Sequence, residues 1–269
     1  MAEKHTASSS SSTKQETPSS HAASSLEEKQ KNIIHLFDHI AKRYDFLNRI
    51  LSLRQDIRWR KKLLSWIPDS PCNHTQQDTS NPNKTLADVA TGTGDVVLAA
   101  RKKLTHYSHY YAIDLSEGML NLARNKAQRQ PHNTPITFIL ADGCSLPLPD
   151  TSADCLTISF GLRNIQRRKL AIKEFSRVLK PQGILLILEF FPVKKGILSS
   201  LFRLYFYRIL PAIAGLFSQK SAYRYLPESV SHFISEDALK TECASFGLSF
   251  EAEHRFTLGS CSLLRFKKT

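Results

Sequence analysis

The chain has 269 residues, 37 Lys and Arg against 24 Asp and Glu, a formal net charge of +13, and 41% hydrophobic residues. Length and apolar content suffice for one large domain or two small ones with a proper core. No segment reaches the roughly 18 to 20 uninterrupted apolar residues of a membrane-spanning helix, because even residues 197–217 carry Arg203, Arg208 and Pro211.

The five cysteines, Cys72, Cys144, Cys155, Cys243 and Cys261, are odd in number and contain no Cys-x-x-Cys pair. They fit neither a disulfide framework nor a structural zinc site and point to a reducing cytoplasm. The positive charge has three readings: a nucleic-acid partner, an anionic membrane surface or general solubility. Charge alone does not choose among them. The densest basic group, Arg54, Arg58, Arg60, Lys61 and Lys62 beside Trp59, comes with no nucleic-acid-binding signature. It reads as a solvated helix face, so nucleic acid is not an expected partner.

Residues 1–25 are almost half Ser and Thr, lack a signal-peptide apolar block and predict a disordered tail. Residues 26–69 predict a helical arm: Ile33, Ile34, Phe37, Ile40, Ala41 and Tyr44 recur at three-to-four spacing, as do Leu47, Ile50 and Leu51. Two helices joined near residues 44–48 are expected. His35 and His39 lie one turn apart, but no third ligand accompanies them, so they read as surface histidines and no metal is expected. Residues 70–85, with Pro71, Asn73, Asn81, Pro82 and Asn83, read as a polar loop.

From residue 86 to the end, short apolar runs alternate with amphipathic helical patterns, as in a parallel sheet flanked by helices. Strands are expected at 86–90, 110–114, 136–140, 154–160 and 184–190. Helices are expected at 96–104, 116–129 and 166–179, the last stopped by Lys180, Pro181, Gln182 and Gly183. An aromatic-rich insertion at 192–233 precedes a helix at 236–246 and strands at 248–255 and 260–266. The expected fold is α/β: a seven-stranded, mostly parallel sheet whose last strand is antiparallel, with an N-terminal helical arm.

The first strand runs into Thr91, Gly92, Thr93, Gly94 and Asp95, where missing Cβ atoms let a ligand approach the backbone at a helix start. Asp114 ends the second strand 22 residues after Gly92, where a carboxylate accepts from both ribose hydroxyls. A nucleoside ligand follows. NAD is the first competitor, but the third position of its glycine fingerprint is Val97, without the small residue that close packing around a pyrophosphate requires. S-adenosylmethionine has no phosphates and needs a gap for its methionine tail and a carboxylate for its ribose, both of which this arrangement supplies. Ala141, Asp142 and Gly143 end the third strand and put a further acid where the adenine amino group can donate to it. Against this stands the plainer reading in which Asp114 and Asp142 only cap helices or turns.

The fourth strand leads into Ser159, Phe160, Gly161, Leu162, Arg163 and Asn164. Taken with the Thr91–Asp95 loop, with Phe37, Asp38, Ile40, Ala41, Tyr44, Asp45 and Asn48 of the arm, and with Tyr223, Arg224, Tyr225, Leu226, Pro227, Glu228 and Ser229, the chain resembles the ubiquinone and menaquinone biosynthesis C-methyltransferases. The resemblance runs from about Asn32 to the C-terminus. It implies a class I, Rossmann-like, S-adenosylmethionine-dependent methyltransferase acting on a ring carbon of a prenylated quinol. Demethylmenaquinol is the first expected substrate and a ubiquinone-precursor benzoquinol the alternative. The cofactor contacts it implies are Thr93 with Gly92 and Gly94, Asp114 at the ribose, Asp142 and Gly143 at the adenine, and Ser159 beside the methionine. Departures from the family pattern are the Ser-rich tail, the 70–85 loop and Gln182 in place of a glycine.

C-methylation requires a phenolate-like quinol oxygen, so a positive charge near the cofactor is wanted; Arg163 is the candidate, with Asn164 beside it and Tyr44 and Asp45 covering the ring. Arginine is a poor base at neutral pH, so its expected role is charge stabilisation. Residues 197–217 read equally as a prenyl-tail cover touching the inner face of the membrane and as a core-facing helix. Two rival readings stand beside this one: a methyltransferase of RNA or a small phenol, and a noncatalytic basic protein that keeps the fold. Oligomeric state is not legible.

Overall fold

A computed structural model describes residues 52–69, 84–130, 132–192 and 227–269, together with Glu28, Lys31, His35, Asp38, Asp45, Asn48 and Arg49 of the arm. The expectations for the 1–25 tail, the 70–83 loop, Tyr44, His39 and most of the insertion (193–226) lie outside the described residues.

Helix α1 (Gln55–Trp66) precedes strand β1 (Lys84–Val89), α2 (Asp95–Lys103), β2 (Tyr107–Asp114), α3 (Glu117–Gln128), β3 (Ile136–Leu140) and β4 (Ala153–Ser159). A 3-10 turn (Leu162–Asn164) then leads to α4 (Arg168–Val178), β5 (Leu179–Phe190), α5 (Glu236–Ala244), β6 (Leu248–Phe256) and β7 (Cys261–Lys268). The sheet has seven strands in the order β3-β2-β1-β4-β5-β7-β6. The first five are mutually parallel and β7 runs antiparallel to both of its neighbours.

Strand β5 shows why the sheet is covered on both faces: Ile184, Leu185, Leu186, Ile187 and Leu188 are all buried, although successive side chains point to opposite sides. On one face Ala171, Ile172 and Phe175 of α4 and Leu239 and Cys243 of α5 pack against them. On the other, Trp59, Leu63 and Leu64 of α1 and Val96, Val97 and Leu98 of α2 do so. The chain proceeds outward from β1 through β2 to β3, and from β4 to β5 in the opposite direction. The β1/β4 boundary is therefore a topological switch point, and a crevice opens outside the carboxyl ends of the strands there.

Several boundaries move. Of the arm, Asp45, Asn48 and Arg49 are helical and a turn lies at Ser52–Arg54, while the rest of the expected 44–48 junction lies outside the described residues. Leu53 and Arg54 take φ values of 50° and 61°, and the Arg54 amide donates back to the Arg49 carbonyl at 2.7 Å. No glycine marks this turn. Lys84 and Thr85, expected in the polar loop, open β1 instead, since the Thr85 amide donates to Asp154 at 2.9 Å and Lys84 is buried over the Tyr107 ring. The helix expected at 166–179 starts at Arg168, and Lys180 to Gly183 belong to β5, kinked where Gln182 has φ 67°. The end of the insertion joins the core: residues 227–231 are helical, and Phe233 packs on Phe191 with ring centroids 5.5 Å apart.

Candidate active site

The crevice spans about 880 Å³, open solvent at its mouth included, and is lined by residues from four strand ends. Gly92 follows β1, Asp114 ends β2, Asp142 and Gly143 follow β3, and Ser159 ends β4. A second compartment of about 330 Å³ lies beside it, reaching Arg60, Asp88, Thr91, Thr93 and Asp95. Ala90, Gly92 and Ser159 line both, so the two are parts of one site. Volumes of this order suit a nucleoside-sized ligand.

The glycine loop is built for close approach. Gly92 and Gly94 have φ of 58° and 82°, the left-handed region that side chains disfavour. A Cβ on Gly94 would sit 3.0 Å from the Ala123 Cβ, so its absence lets α3 pack on the loop. Ala90 and Phe160, both in the crevice wall, also take positive φ, 52° and 59°, without being glycine. Strain of this kind persists where surrounding structure imposes it, which is common at ligand sites. Gly161 follows Phe160 because a Cβ there would fall 2.4 Å from that of Ala90.

Asp114 accepts from the Gly92 amide at 2.7 Å and from the Ser116 amide at 2.9 Å, tying the loop to the start of α3. Burial pushes its pKa up, against those amides, which pull it down. At the third strand end Asp142 accepts from the Cys144 amide at 2.9 Å and from the Arg167 guanidinium at 3.2 Å. Gly143 lies where a Cβ would meet Val89 and Ile165 at 3.2 Å, and these side chains, with Met119 and Leu115, make the apolar wall a planar base requires.

Ser159 Oγ is buried without a hydrogen-bond partner, the one such side-chain atom among the described residues. Buried hydroxyls are normally satisfied, so an orphan between two compartments marks where a ligand's polar atom belongs. With the Asp114 carboxylate and the apolar wall it makes a donor and acceptor set that fits S-adenosylmethionine.

The structure brings Gly92, Asp114, Asp142, Gly143, Ser159 and Asn164 into one crevice, with Thr93 in the smaller compartment. Thr93 is already engaged: its hydroxyl donates to Asp45 at 2.6 Å and accepts from Lys126 at 2.8 Å. Asp45, expected over the quinol ring, is thus bonded to the glycine loop and pairs with Lys126 at 2.5 Å. Arg163 also differs from its expectation and does not line the crevice. Its Nη1 pairs with the fully buried Glu189 at 2.8 Å and donates to the Phe160 carbonyl at 2.5 Å, while Nε donates to Ser229 at 3.3 Å. A guanidinium only 7% exposed and neutralised by a buried carboxylate is a poor free charge for a phenolate.

Two further side chains, Arg60 and Asp88, belong to the smaller compartment. Arg60 pairs with Asp56 at 2.6 Å and Asp95 at 3.3 Å, both through Nη1. Asp88, 1% exposed, accepts from Thr91 and Thr157 at 2.6 Å each. Burial raises its pKa to about 6, the two threonine hydroxyls opposing the shift. An acid with a raised folded pKa binds more protons folded than unfolded, so its contribution to stability falls as pH climbs from about 4 to about 6 and is flat above. Asp88→Asn is expected to be more stable than wild type at pH 7, by up to roughly 3 kcal/mol. The difference should vanish near pH 4 in paired denaturant titrations; a constant difference across this range would assign it to packing.

The sequence model of the ubiE/COQ5 methyltransferase family matches residues 25–267. The ubiquinone/menaquinone biosynthesis C-methyltransferase UbiE of Geobacter sulfurreducens is 39% identical over 243 residues, 90% of this chain and 91% of that protein. The demethylmenaquinone methyltransferase of Thermus thermophilus is 39% identical over 220 residues, 81% and 93% of the two chains. Among solved structures, magnesium protoporphyrin IX methyltransferase from Synechocystis, with S-adenosylhomocysteine bound, superposes with a TM-score of 0.59 at 16% identity, covering 89% of this chain and all of that one. A methyltransferase from Aquifex aeolicus superposes at 0.53 and 18% identity, covering 78% and 89%. These two distant likenesses show the class I fold. With its sequence matched almost end to end and a crevice fitted to S-adenosylmethionine, the chain belongs to the ubiE/COQ5 methyltransferase family.

Proposed function

We propose that this enzyme methylates a ring carbon of a prenylated quinol, demethylmenaquinol first, with a ubiquinone-precursor benzoquinol as the alternative ring. The observation that carries the reading is the two-compartment crevice with Asp114 on its wall and the unpaired Ser159 hydroxyl at the junction. The names of the Geobacter and Thermus relatives supply the substrate class.

When bound, S-adenosylmethionine supplies a methyl group made electrophilic by its sulfonium. Asp114 accepts from the ribose hydroxyls, Asp142 and Gly143 meet the adenine edge, and Val89, Met119 and Ile165 exclude water from its faces. Asp88 faces the ligand ammonium and Ser159 a polar atom of the methionine. Asp45, held by Thr93 and Lys126, closes that end from the arm. Asn164 lines the crevice and is placed to hydrogen-bond the quinol oxygen as it gains charge. Arg163 holds Asn164 and the end of β4 in place through Glu189, as a positioning residue.

Arg60 is assigned to the methionine carboxylate, because its described pairings all run through Nη1 and leave a second donor edge of the fork. Burial opposes ionisation of Asp95, yet Arg60 and Lys126 hold its pKa below the usual range, so the cation is matched before a ligand arrives. Arg60→Met is expected to weaken S-adenosylmethionine binding about 10- to 100-fold, the loss of one charge-assisted pair. Binding of 5′-methylthioadenosine, which has no amino-acid group, should stay unchanged in calorimetry. Equal losses for both ligands would place Arg60 in helix packing instead.

The same reading takes residues 1–25 as a tail, 26–69 as an arm over the site, and the rest from β1 as the methyltransferase domain interrupted by the 192–233 insertion. Mass-spectrometric quinone profiling of cells lacking the protein tests the substrate. Accumulation of demethylmenaquinone supports the first ring, accumulation of a benzoquinone precursor the second, and unchanged quinone pools overturn both.

A further inference from the structure

A prenylated quinol stays dissolved in a bilayer, and among the described residues no helix is long and apolar enough to cross one. An enzyme for such a substrate needs a surface that meets lipid beside its site. Helix α1 carries an exposed stripe beside the site. Arg54, Arg58 and Lys61 follow at spacings of four and three, which puts them on one stripe of the helix, and all three are exposed. None of them makes an ion pair among the described residues. Asp56, the one acid within α1, is 3% exposed and pairs with Arg60, so among the described residues the outer stripe carries positive charge without an acid of its own helix beside it.

At the head of this stripe Leu53 is 71% exposed, the most exposed large hydrophobic side chain among the described residues. Leu53 and Arg54 both take positive φ, a conformation that non-glycine residues disfavour. The opposite face of α1 is fixed to the body by buried Trp59, Leu63 and Leu64, so the stripe and its leucine are presented rigidly. Arg60, on the same helix, reaches the methionine compartment. The stripe therefore sits on the element that borders the site.

We propose that Leu53 with Arg54, Arg58 and Lys61 docks the enzyme onto anionic phospholipid, the leucine entering the headgroup layer and the cations meeting phosphates, so that the quinol ring reaches the crevice while its prenyl chain stays in the bilayer. The proposal rests on the prenylated-quinol reading for its purpose. An exposed leucine among cations favours lipid over nucleic acid, whose phosphates have no use for it.

The test is flotation of the full-length protein with phosphatidylglycerol–phosphatidylcholine vesicles and with phosphatidylcholine vesicles alone. Wild type should bind the first and not the second, with binding weakened by salt. The triple substitution Arg54→Gln, Arg58→Gln, Lys61→Gln should lower partitioning about 100-fold, at roughly fivefold per cation. Leu53→Ser should lower it roughly tenfold. Both variants should keep wild-type affinity for S-adenosylmethionine and wild-type turnover of a water-soluble short-chain quinol, while turnover of the long-chain quinol in anionic vesicles falls in parallel with binding. Wild type that ignores anionic vesicles, variants that bind them undiminished, or binding of duplex nucleic acid in place of vesicles would each overturn the proposal. Vesicle binding lost by the variants, with no quinol methylated by any form, would leave the docking surface standing and remove the substrate reading.

Discussion

Asp114→Ala is expected to lower S-adenosylmethionine affinity by about 100-fold or more, with methyl transfer falling below detection at ordinary cofactor concentrations. Each ribose hydroxyl that loses a carboxylate acceptor forfeits roughly 1.5 to 3 kcal/mol, and there are two of them. The carboxylate does a second job, since it accepts from the Gly92 and Ser116 amides at 2.7 and 2.9 Å. Its removal strands two amide donors and frees the loop that must face the ligand. Asp114→Asn should fall between the two, keeping one acceptor oxygen and losing the charge. Titration calorimetry on the three proteins reads the order directly. Wild-type affinity in Asp114→Ala would take this residue out of the site and leave its buried carboxyl with only a structural role.

The second large effect belongs to the pair Arg163 and Glu189. Arg163→Ala leaves a fully buried carboxylate without its cation, a change that costs about 3 to 5 kcal/mol. The variant should therefore melt far below wild type. Turnover should fall as well, because Asn164 and the end of β4 lose their anchor. The double variant Arg163→Met, Glu189→Gln removes the stranded charge and should recover most of the stability. If positioning is all that Arg163 does, the double variant also regains much of its kcat. A double variant that is stable but has lost kcat by a factor on the order of 10² to 10³, with KM unchanged, would instead show the Arg163 charge acting on the transition state.

The core of the fold was legible because short, mostly apolar runs alternate with amphipathic helical patterns. Residues 184–188 read as a strand buried on both faces, and they are one. Asp114 was legible because a strand end and a glycine loop fix its place without tertiary information. The turn at Leu53 and Arg54 was not, since no glycine or asparagine announces its positive φ. Nor was the role of Arg60. In the sequence it is one of five cations around Trp59, and only the packing of α1 on the sheet decides which of them turns inward. Arg163 shows the converse: its place just after β4 is evident in the sequence, but its partner Glu189 lies 26 residues on at the end of another strand. The pairing exists only once β4 and β5 lie side by side.

Joining an S-adenosylmethionine crevice to C-methylation of a quinol ring is what this one protein is expected to do. The direct measurement combines the purified full-length chain, S-adenosylmethionine carrying a carbon-13 methyl group, and reduced demethylmenaquinol with a short prenyl chain. Nuclear magnetic resonance then locates the label in the product. Wild type is expected to form a carbon-bound ring methyl that Asp114→Ala does not form. Label on a quinol oxygen, or no transfer to a quinol by a protein that binds S-adenosylmethionine, would contradict this expectation.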